Sequence, residues 1–557
     1  MAYRPLAGIV FAAAFLAAGT AAAQGDAALG KQVYWEGIGA DGEPVMATAV
    51  GDVPVSGAQF SCVNCHKPSG FGTTEGGYYV PAITGPILFN DWTPDRIQTF
   101  RQYFKDAKAM DMRGQFRTQR GRPGYDSETL GTLLRDGESI LGREVMEIMP
   151  RYDLADEDLE NLTAYLKSLS AEFSPGVDDE KIHFATIFTE GVDPEARAAV
   201  QNTVETFVEW RNQAITHSRL KRYDVPYMAT FEDSFRDWEL HVWELEGAPE
   251  TWDEQLQAYY DETPVFATVS GLVDGPWDSI GAFCDANAVP CMFPNVELPY
   301  TQDTDYGYSV HFSRGLELEA EALSLFLAEQ EPSTGDVVQI HDAGPYGKTP
   351  AGAFARSFAE SLPDAALTTL ELAEGESLED ALAGLSGRNI DTLVVWPGHD
   401  LDGVVSALNA HGAAAERVFL PSRALETARG GLSDGLRERV MLTYPYEDPE
   451  AYHTRAFRVR AWMMTRQLEV THSRLQNQTY YAMSLMEHGL KNLIAYFYRD
   501  YFLELVEHEA EADLNIGTHP QLALGPGQRF ASKGSYLVSI DPEAQRGLRI
   551  ESDWIIP

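Results

Sequence analysis

Two textures of hydrophobic patterning divide this 557-residue sequence. After residue 180, short apolar or β-branched runs at 182–188, 265–270, 337–341, 392–396, 418–420 and 440–442 predict strands. Between and around them, amphipathic windows at 195–213, 277–286, 316–328, 350–361, 378–386 and 402–411 predict helices. Strands and helices alternating in this way imply parallel sheets covered on both faces. One open sheet seldom exceeds about ten strands, so a stretch this long divides into two sheets side by side. A long helix is expected over 480–511, followed by a tail with a weak strand signal at 534–540.

Residues 24–173 read differently. Helical patterns at 27–34, 93–107, 127–135 and 155–169 are separated by long loops rich in Gly and Pro, with no internal repeat. The last carries Asp156, Glu157 and Asp158 in its first turn, where the helix dipole favours acids, and an apolar stripe of Leu159, Leu162, Tyr165, Leu166 and Leu169. That is little apolar material for a core of this length, and a large apolar cofactor would make up the shortfall. Ser174-Pro175-Gly176-Val177-Asp178-Asp179 reads as a linker over 174–180.

The first 23 residues have the form of a signal peptide. Arg4 supplies the positive end, 9–18 the apolar run, and Ala21-Ala22-Ala23 the small-residue cleavage pattern. That run is too short to span a bilayer, and no later stretch reaches the necessary length. No cysteine follows the cleavage pattern, so a lipid anchor is not expected. The expected location is the periplasm, an oxidising compartment. A formal net charge of -42 excludes nucleic acid and anionic membrane surfaces as partners. It leaves either a solvated acidic surface or a docking face for a basic redox partner.

The four cysteines fall into two pairs. Cys62 and Cys65 lie in Cys-Val-Asn-Cys-His, the spacing that lets two thiols reach the two vinyl groups of a haem while His66 falls beneath the iron. A redox dithiol would be expected beside a βαβ pattern, which this half lacks. A zinc site needs two further ligands, and the other cysteines belong to the second half. One covalent haem c is therefore expected, with metal ligands His66 and a methionine. Met110, Met112, Met146 and Met149 are the candidates. Met149 leads because Pro150 stiffens the loop that presents it. Met/His ligation raises the reduction potential and suits electron transfer. Cys284 ends a predicted helix and Cys291 begins the next strand, so a disulfide closing that loop is expected.

Residues 24–173 resemble class I-type cytochrome c domains of bacterial periplasmic proteins. The residues that carry the likeness are Gly30-Lys31 with Tyr34, Cys62-Val63-Asn64-Cys65-His66, the stretch 125–142, and Met149-Pro150-Arg151-Tyr152. The resemblance implies an all-α domain whose first and last helices cross beside the haem, with Arg143 and Arg151 as propionate neighbours. Residues 181–557 resemble the type I substrate-binding proteins of ABC transporters, of the leucine/isoleucine/valine-binding kind. The likeness rests on Thr189-Glu190-Gly191-Val192-Asp193, Val269-Ser270-Gly271, Cys291-Met292-Phe293-Pro294-Asn295, the stretch 337–342 with Tyr346-Gly347, and 393–398. It implies an α/β fold of two lobes (181–312 with 445–515, and 313–444 with 516–557) that close on a small-molecule ligand. Strand-end loops face such a cleft, which nominates Ser270, Gly271, Asn295, Tyr346, Trp396 and His399 as ligand contacts. Around Asn295 the chain reads Phe-Pro-Asn-Val-Glu-Leu-Pro, without the small hydroxyl residues that this family uses for amino acids.

No nucleophile, base and orienting residue can be assembled from spacing, and no Gly-rich phosphate loop follows a strand, so no catalytic residue is assigned. Three readings remain. One is an electron carrier with a receptor domain serving a periplasmic dehydrogenase or a substrate-capture system. The others are a solute receptor or sensor with a redox-reporting haem, and a haem enzyme acting on the bound ligand.

Overall fold

In the computed structural model of the chain, the described residues are 25–75, 78–91, 121–221, 236–300, 306–330, 335–373, 375–412, 415–493, 496–509, 517–544 and 546–557. The residues expected to form a signal peptide, Met110, Met112 and the helix expected at 93–107 lie outside them. The chain divides into two units, Met1–Glu172 and Phe173–Pro557, described separately below.

In the first unit, Asp26 caps the helix Ala27–Glu36 by accepting the N–H of Ala28, and Gly37 ends it at φ +66°. The helix Asp156–Ser168 crosses this one at Gly30, where a Cβ would sit 2.0 Å from the Asn161 carbonyl oxygen. Tyr34 packs on Tyr165 with ring centroids 5.3 Å apart, and Trp35 Nε1 donates to the Tyr165 hydroxyl at 3.0 Å. Leu159, Leu162 and Leu166 of the acidic-ended helix join Val33, Tyr34, Leu130 and Leu134 in one apolar cluster. Among the described residues the unit also has the short helix Cys62–His66, the helix Gly85–Phe89 and the helix Ser127–Asp136, which opens on a capping box at Asp126 and Thr129.

The unit is not all-α. Strands β1 (Met46–Ala49) and β2 (Val53–Ser56) form an antiparallel hairpin turned through Gly51 and Asp52, both at positive φ. The two-residue strands β3 (Thr74–Glu75) and β4 (Tyr78–Tyr79) pair with each other, and β5 (Arg151–Tyr152) joins β1. These strands are too short for a period-2 pattern to show.

Among its described residues the second unit holds two sheets. The first has the order β10-β9-β8-β6-β7 and is parallel throughout: β6 Lys181–Thr189, β7 Asp237–Leu245, β8 Ala267–Val269, β9 Cys291–Met292 and β10 Ser309–Val310. The second is parallel from β12 (Leu367–Glu371) through β11 (Asp336–His341), β13 (Ile390–Trp396) and β14 (Ala415–Leu420) to β15 (Val440–Tyr444). It then adds β16 (Tyr536–Ile540) and β17 (Leu548–Ile550) antiparallel at one edge. Central β6 and β13 are near-continuous apolar runs buried on both faces. The edge strands β7 and β12 are half-exposed and mix polar with apolar residues, and so gave no clear strand signal.

The chain passes between the lobes around 311–314, 445–448 and 532–535. Leu522, Leu524 and Ala531 pack in the core of the first lobe with Val459 and Trp462, so the last return lies after 531 and not at 516 as the sequence suggested. The helix expected at 480–511 is two helices, Ser473–Leu493 and Arg499–Glu509; Phe497 between them is buried in the same core. The helix expected to begin at Pro350 begins at Pro345, a position that needs no N–H donor, and carries Pro350 within it.

Candidate functional site

Two regions gather the residues singled out above, one in each unit. In the first unit, His66 is buried and its Nδ1 lies 3.0 Å from the carbonyl oxygen of Pro81. An N–H donated there fixes the tautomer and leaves Nε2 as the nitrogen with a lone pair, the arrangement used by metal-ligating histidines. Burial holds the imidazole down to about 4, so the ring is neutral near pH 7. Cys62 and Cys65 share the same short helix and neither is in a disulfide. Burial pushes the Cys62 thiol up to about 12. Beside Cys62 lies a small, mostly apolar cavity walled by Val33, Val45, Leu134, Tyr152, Leu154 and Leu162. Two thiols at this spacing beside a buried histidine with a free Nε2 form the donor set that a haem attached at the two cysteines would use.

Met149 is half-buried against the same apolar cluster, whereas Met146 is 50% exposed. Arg151 donates to the carbonyls of Met149 (2.5 Å) and Val145 (2.8 Å), so its guanidinium clamps the loop that presents Met149. Tyr152 sits next in the chain, with its hydroxyl donating to the Phe60 carbonyl at 2.6 Å. Arg143 is exposed; its backbone N–H donates to Ser139 Oγ and its carbonyl accepts the Ser139 N–H.

In the second unit, the carboxyl edge of the first sheet brings Ser270, Gly271 and Asn295 together. Ser270 is buried at φ +53°, a left-handed conformation uncommon for serine and enriched at binding sites. Gly271 follows at φ +90°, where a Cβ would meet the Ile187 carbonyl oxygen at 2.2 Å. The Asn295 amide nitrogen donates to Ser270 Oγ (3.2 Å) and the Gly271 carbonyl (2.7 Å), and Ser270 Oγ is 2.9 Å from Thr479 Oγ1. Asn295 Oδ1 is buried and has no hydrogen-bond partner among the described residues.

From the facing lobe, Tyr346 reaches across. Its hydroxyl donates to Asp274 Oδ1 at 2.7 Å and accepts the Gly275 N–H at 2.8 Å. Burial and the Asp274 carboxylate raise its pKa, so it stays a donor at any working pH. Arg423 stacks on the Tyr346 ring at 4.0 Å and pairs with Glu297 of the first lobe at 2.9 Å. His399 is exposed, with its ring 5.0 Å from that of Tyr346 and its Nδ1 3.9 Å from Asp274. Arg474 lies over the Tyr446 ring at 4.2 Å. Trp396 does not belong to this set. It is 1% exposed, packs with Phe354 in the core of the second lobe, and donates Nε1 to Gln339 at 3.1 Å, so it closes a hydrophobic layer. Asp274, Glu297, Arg423 and Arg474 escaped the sequence reading. Asp274 and Arg423 follow the ends of β8 and β14 by a few residues, so the strand-end rule used for Ser270 could have reached them.

Cys284 and Cys291 are joined in a disulfide, both fully buried. No helix among the described residues is long and apolar enough to cross a membrane.

No family model matches the chain. No curated protein matches it either. Solved structures do. A fatty acid ABC transporter substrate-binding protein from Thermomonospora curvata is similar over 69% of this chain and 95% of its own, with TM-score 0.51 and 15% identity. An ABC transporter substrate-binding protein from Aeropyrum pernix is similar over 68% and 96%, with TM-score 0.51 and 12% identity. The second unit therefore has the two-lobed α/β fold of the periplasmic binding proteins.

Proposed function

We propose that the chain is an exported, periplasmic c-type haem electron-transfer protein whose second unit is a solute receptor of the ABC-transporter substrate-binding type, serving a periplasmic dehydrogenase or a substrate-capture system. The observation that carries the electron-transfer part is the pairing of His66 with the Pro81 carbonyl beside two thiols spaced for thioether attachment and an apolar wall. Cys62 and Cys65 would hold the haem, with His66 and Met149 as iron ligands; when bound, the haem would supply a one-electron iron couple. The chain's own part is to fix the His66 tautomer, to keep water from the cavity with Val33, Leu134 and Leu154, and to hold the Met149 loop through Arg151. The acidic surface suits a basic redox partner.

The receptor part rests on the fold and on the lobe-crossing contacts of Tyr346 and Arg423. A small polar solute is the ligand that this cleft suits, since Asn295 offers an acceptor and Arg474 a cation.

Optical spectroscopy of the purified protein tests the haem assignment. The reduced wild type should show a c-type α band, and the oxidised form a near-infrared sulfur-to-iron band. Met149→Ala should lose the near-infrared band and keep the α band, while Met146→Ala keeps both. A near-infrared band that survives in Met149→Ala and disappears in Met146→Ala would overturn the ligand assignment, and a wild type without covalent haem would overturn the electron-transfer reading.

A further inference from the structure

Strands β6 and β7 run parallel with His183 opposite Glu239 and Ala185 opposite His241. Side chains alternate faces along a strand, so His183, Glu239 and His241 emerge on one face of the sheet. All three are half-buried, and one ligand atom from each lies within 4.8 Å of the others. His183 Nδ1 is 3.0 Å from His241 Nε2, and the two rings are nearly parallel, 21° apart. Two imidazole nitrogens bound to one tetrahedral zinc, each at about 2.0–2.1 Å, stand about 3.3 Å apart. The observed spacing is within a few tenths of an ångström of that.

The other nitrogen of His183 is also placed. Nε2 lies 3.5 Å from Asp178 Oδ2, while Asp178 Oδ1 accepts the N–H groups of Glu180 and Lys181, both at 2.7 Å. These backbone bonds fix the carboxyl group so that Oδ2 faces His183 Nε2 and can accept its N–H. A carboxylate behind a histidine in this way fixes the tautomer in which the facing nitrogen carries the lone pair.

We propose that His183, His241 and Glu239 bind one divalent transition-metal ion, with Asp178 as the positioning residue behind His183. Two imidazoles and a carboxylate select zinc, copper or nickel over magnesium or calcium. Lys181, which pairs with Glu239, competes with the metal for that carboxylate. The site sits at the amino-terminal ends of β6 and β7, away from the strand ends that carry Ser270 and Asn295. It joins the segment containing Asp178 to two strands and stands independently of the cleft and haem readings.

The test uses the full chain as purified, after washing with chelator. Calorimetry with zinc should show one saturable site, weakened at least 100-fold by His183→Gln or His241→Gln. Asp178→Asn should weaken it 10- to 100-fold, the cost expected when the carboxylate behind a metal-bound histidine is removed. Lys181→Met should leave it equal or tighter. Unchanged zinc affinity in His241→Gln overturns the proposal. Copper(II) electron paramagnetic resonance of the wild type decides independently of whether any variant folds. Coupling to two imidazole nitrogens supports the site, and coupling to one or none overturns it.

Discussion

Tyr346→Phe removes one oxygen and nothing else, and that oxygen sits between the lobes of the second unit. Its hydroxyl donates to the Asp274 carboxylate and accepts the Gly275 N–H, both on the first lobe, while the buried ring clusters with Leu298 and Leu316. A hydrogen bond to a charged acceptor contributes about 1.5–3 kcal/mol and a neutral one about 1 kcal/mol. The two bonds therefore favour the closed arrangement by about 2–4 kcal/mol. At 1.4 kcal/mol per tenfold change, their loss should raise the open-to-closed ratio by roughly 30- to 1000-fold. Arg423 still pairs with Glu297, so the variant keeps a second tie across the cleft. Spin labels at the exposed positions 262 and 364, one on each lobe, read the ratio as a distance distribution by pulsed dipolar spectroscopy. The variant should gain a longer-distance population that the wild type lacks. Identical distributions would show that the Tyr346 hydroxyl does not hold the lobes and would refute the reasoning.

Three further outcomes are expected. Glu319 is fully buried, accepts from Ser422 and Thr443, and is raised to about 7 by burial. A carboxyl whose folded pKa exceeds its unfolded 4.5 contributes most below about pH 4.5, and that contribution is lost as the pH rises through 7. Urea midpoints of Glu319→Gln should therefore lack a loss on the order of 3 kcal/mol that the wild type shows from pH 5 to pH 8; equal pH profiles would rule this out. His311 is buried, neither ring nitrogen has a hydrogen-bond partner among the described residues, and it is lowered to about 3 by burial, so it stabilises fully above pH 6.5 and progressively less as the pH falls towards 3. His311→Phe keeps a ring on Phe530 and should flatten the acid limb of the stability profile; an unchanged limb would assign acid unfolding to other groups. Replacing Cys284 and Cys291 by Ala opens a loop of sequence separation 7 and should cost about 2.5 kcal/mol by loop entropy, seen as a lower urea midpoint at unchanged slope.

The sequence was most readable where one physical demand dominated. Buried parallel strands such as β6 and β13 need unbroken apolar runs, and their limits were close to those found. The acidic first turn and leucine stripe placed the helix Asp156–Ser168. Edge strands such as β7 have one half-exposed side, so their pattern is shared with amphipathic helices and loops. The break between Leu493 and Arg499 carries no proline or glycine among its described residues. It is set by tertiary contacts: Phe497 enters the core, and Arg499 donates to the carbonyls of Phe266 and Val265. The same limit separates the cleft residues. Ser270, Gly271 and Asn295 lie at strand ends and were found by that rule, whereas Trp396 also ends a strand but points into the layer beneath it. Position along a strand is legible in sequence; the face to which a terminal residue turns depends on the helix packed against it.

The lobe-crossing bonds belong to the protein, so a solute that binds between the lobes adds its contacts to a closure already favoured by Tyr346 and Arg423. Its affinity then depends less on driving the hinge and more on the polar groups left for it. Asn295 is the informative one. Its amide nitrogen is committed to Ser270 and Gly271, which fixes the side-chain orientation, while Oδ1 stays buried without a donor. An unsatisfied buried acceptor costs about 1–3 kcal/mol, and a solute N–H or O–H that reaches it removes that cost. The gain amounts to roughly 5- to 150-fold in affinity over an otherwise similar solute with no donor there. The serine held at positive φ serves the same end, because Ser270 Oγ and Thr479 Oγ1 anchor the amide that aims the acceptor. Strain at Ser270, the close approach required at Gly271 and the orphan oxygen at Asn295 thus converge on one polar recognition point at the carboxyl edge of the first sheet.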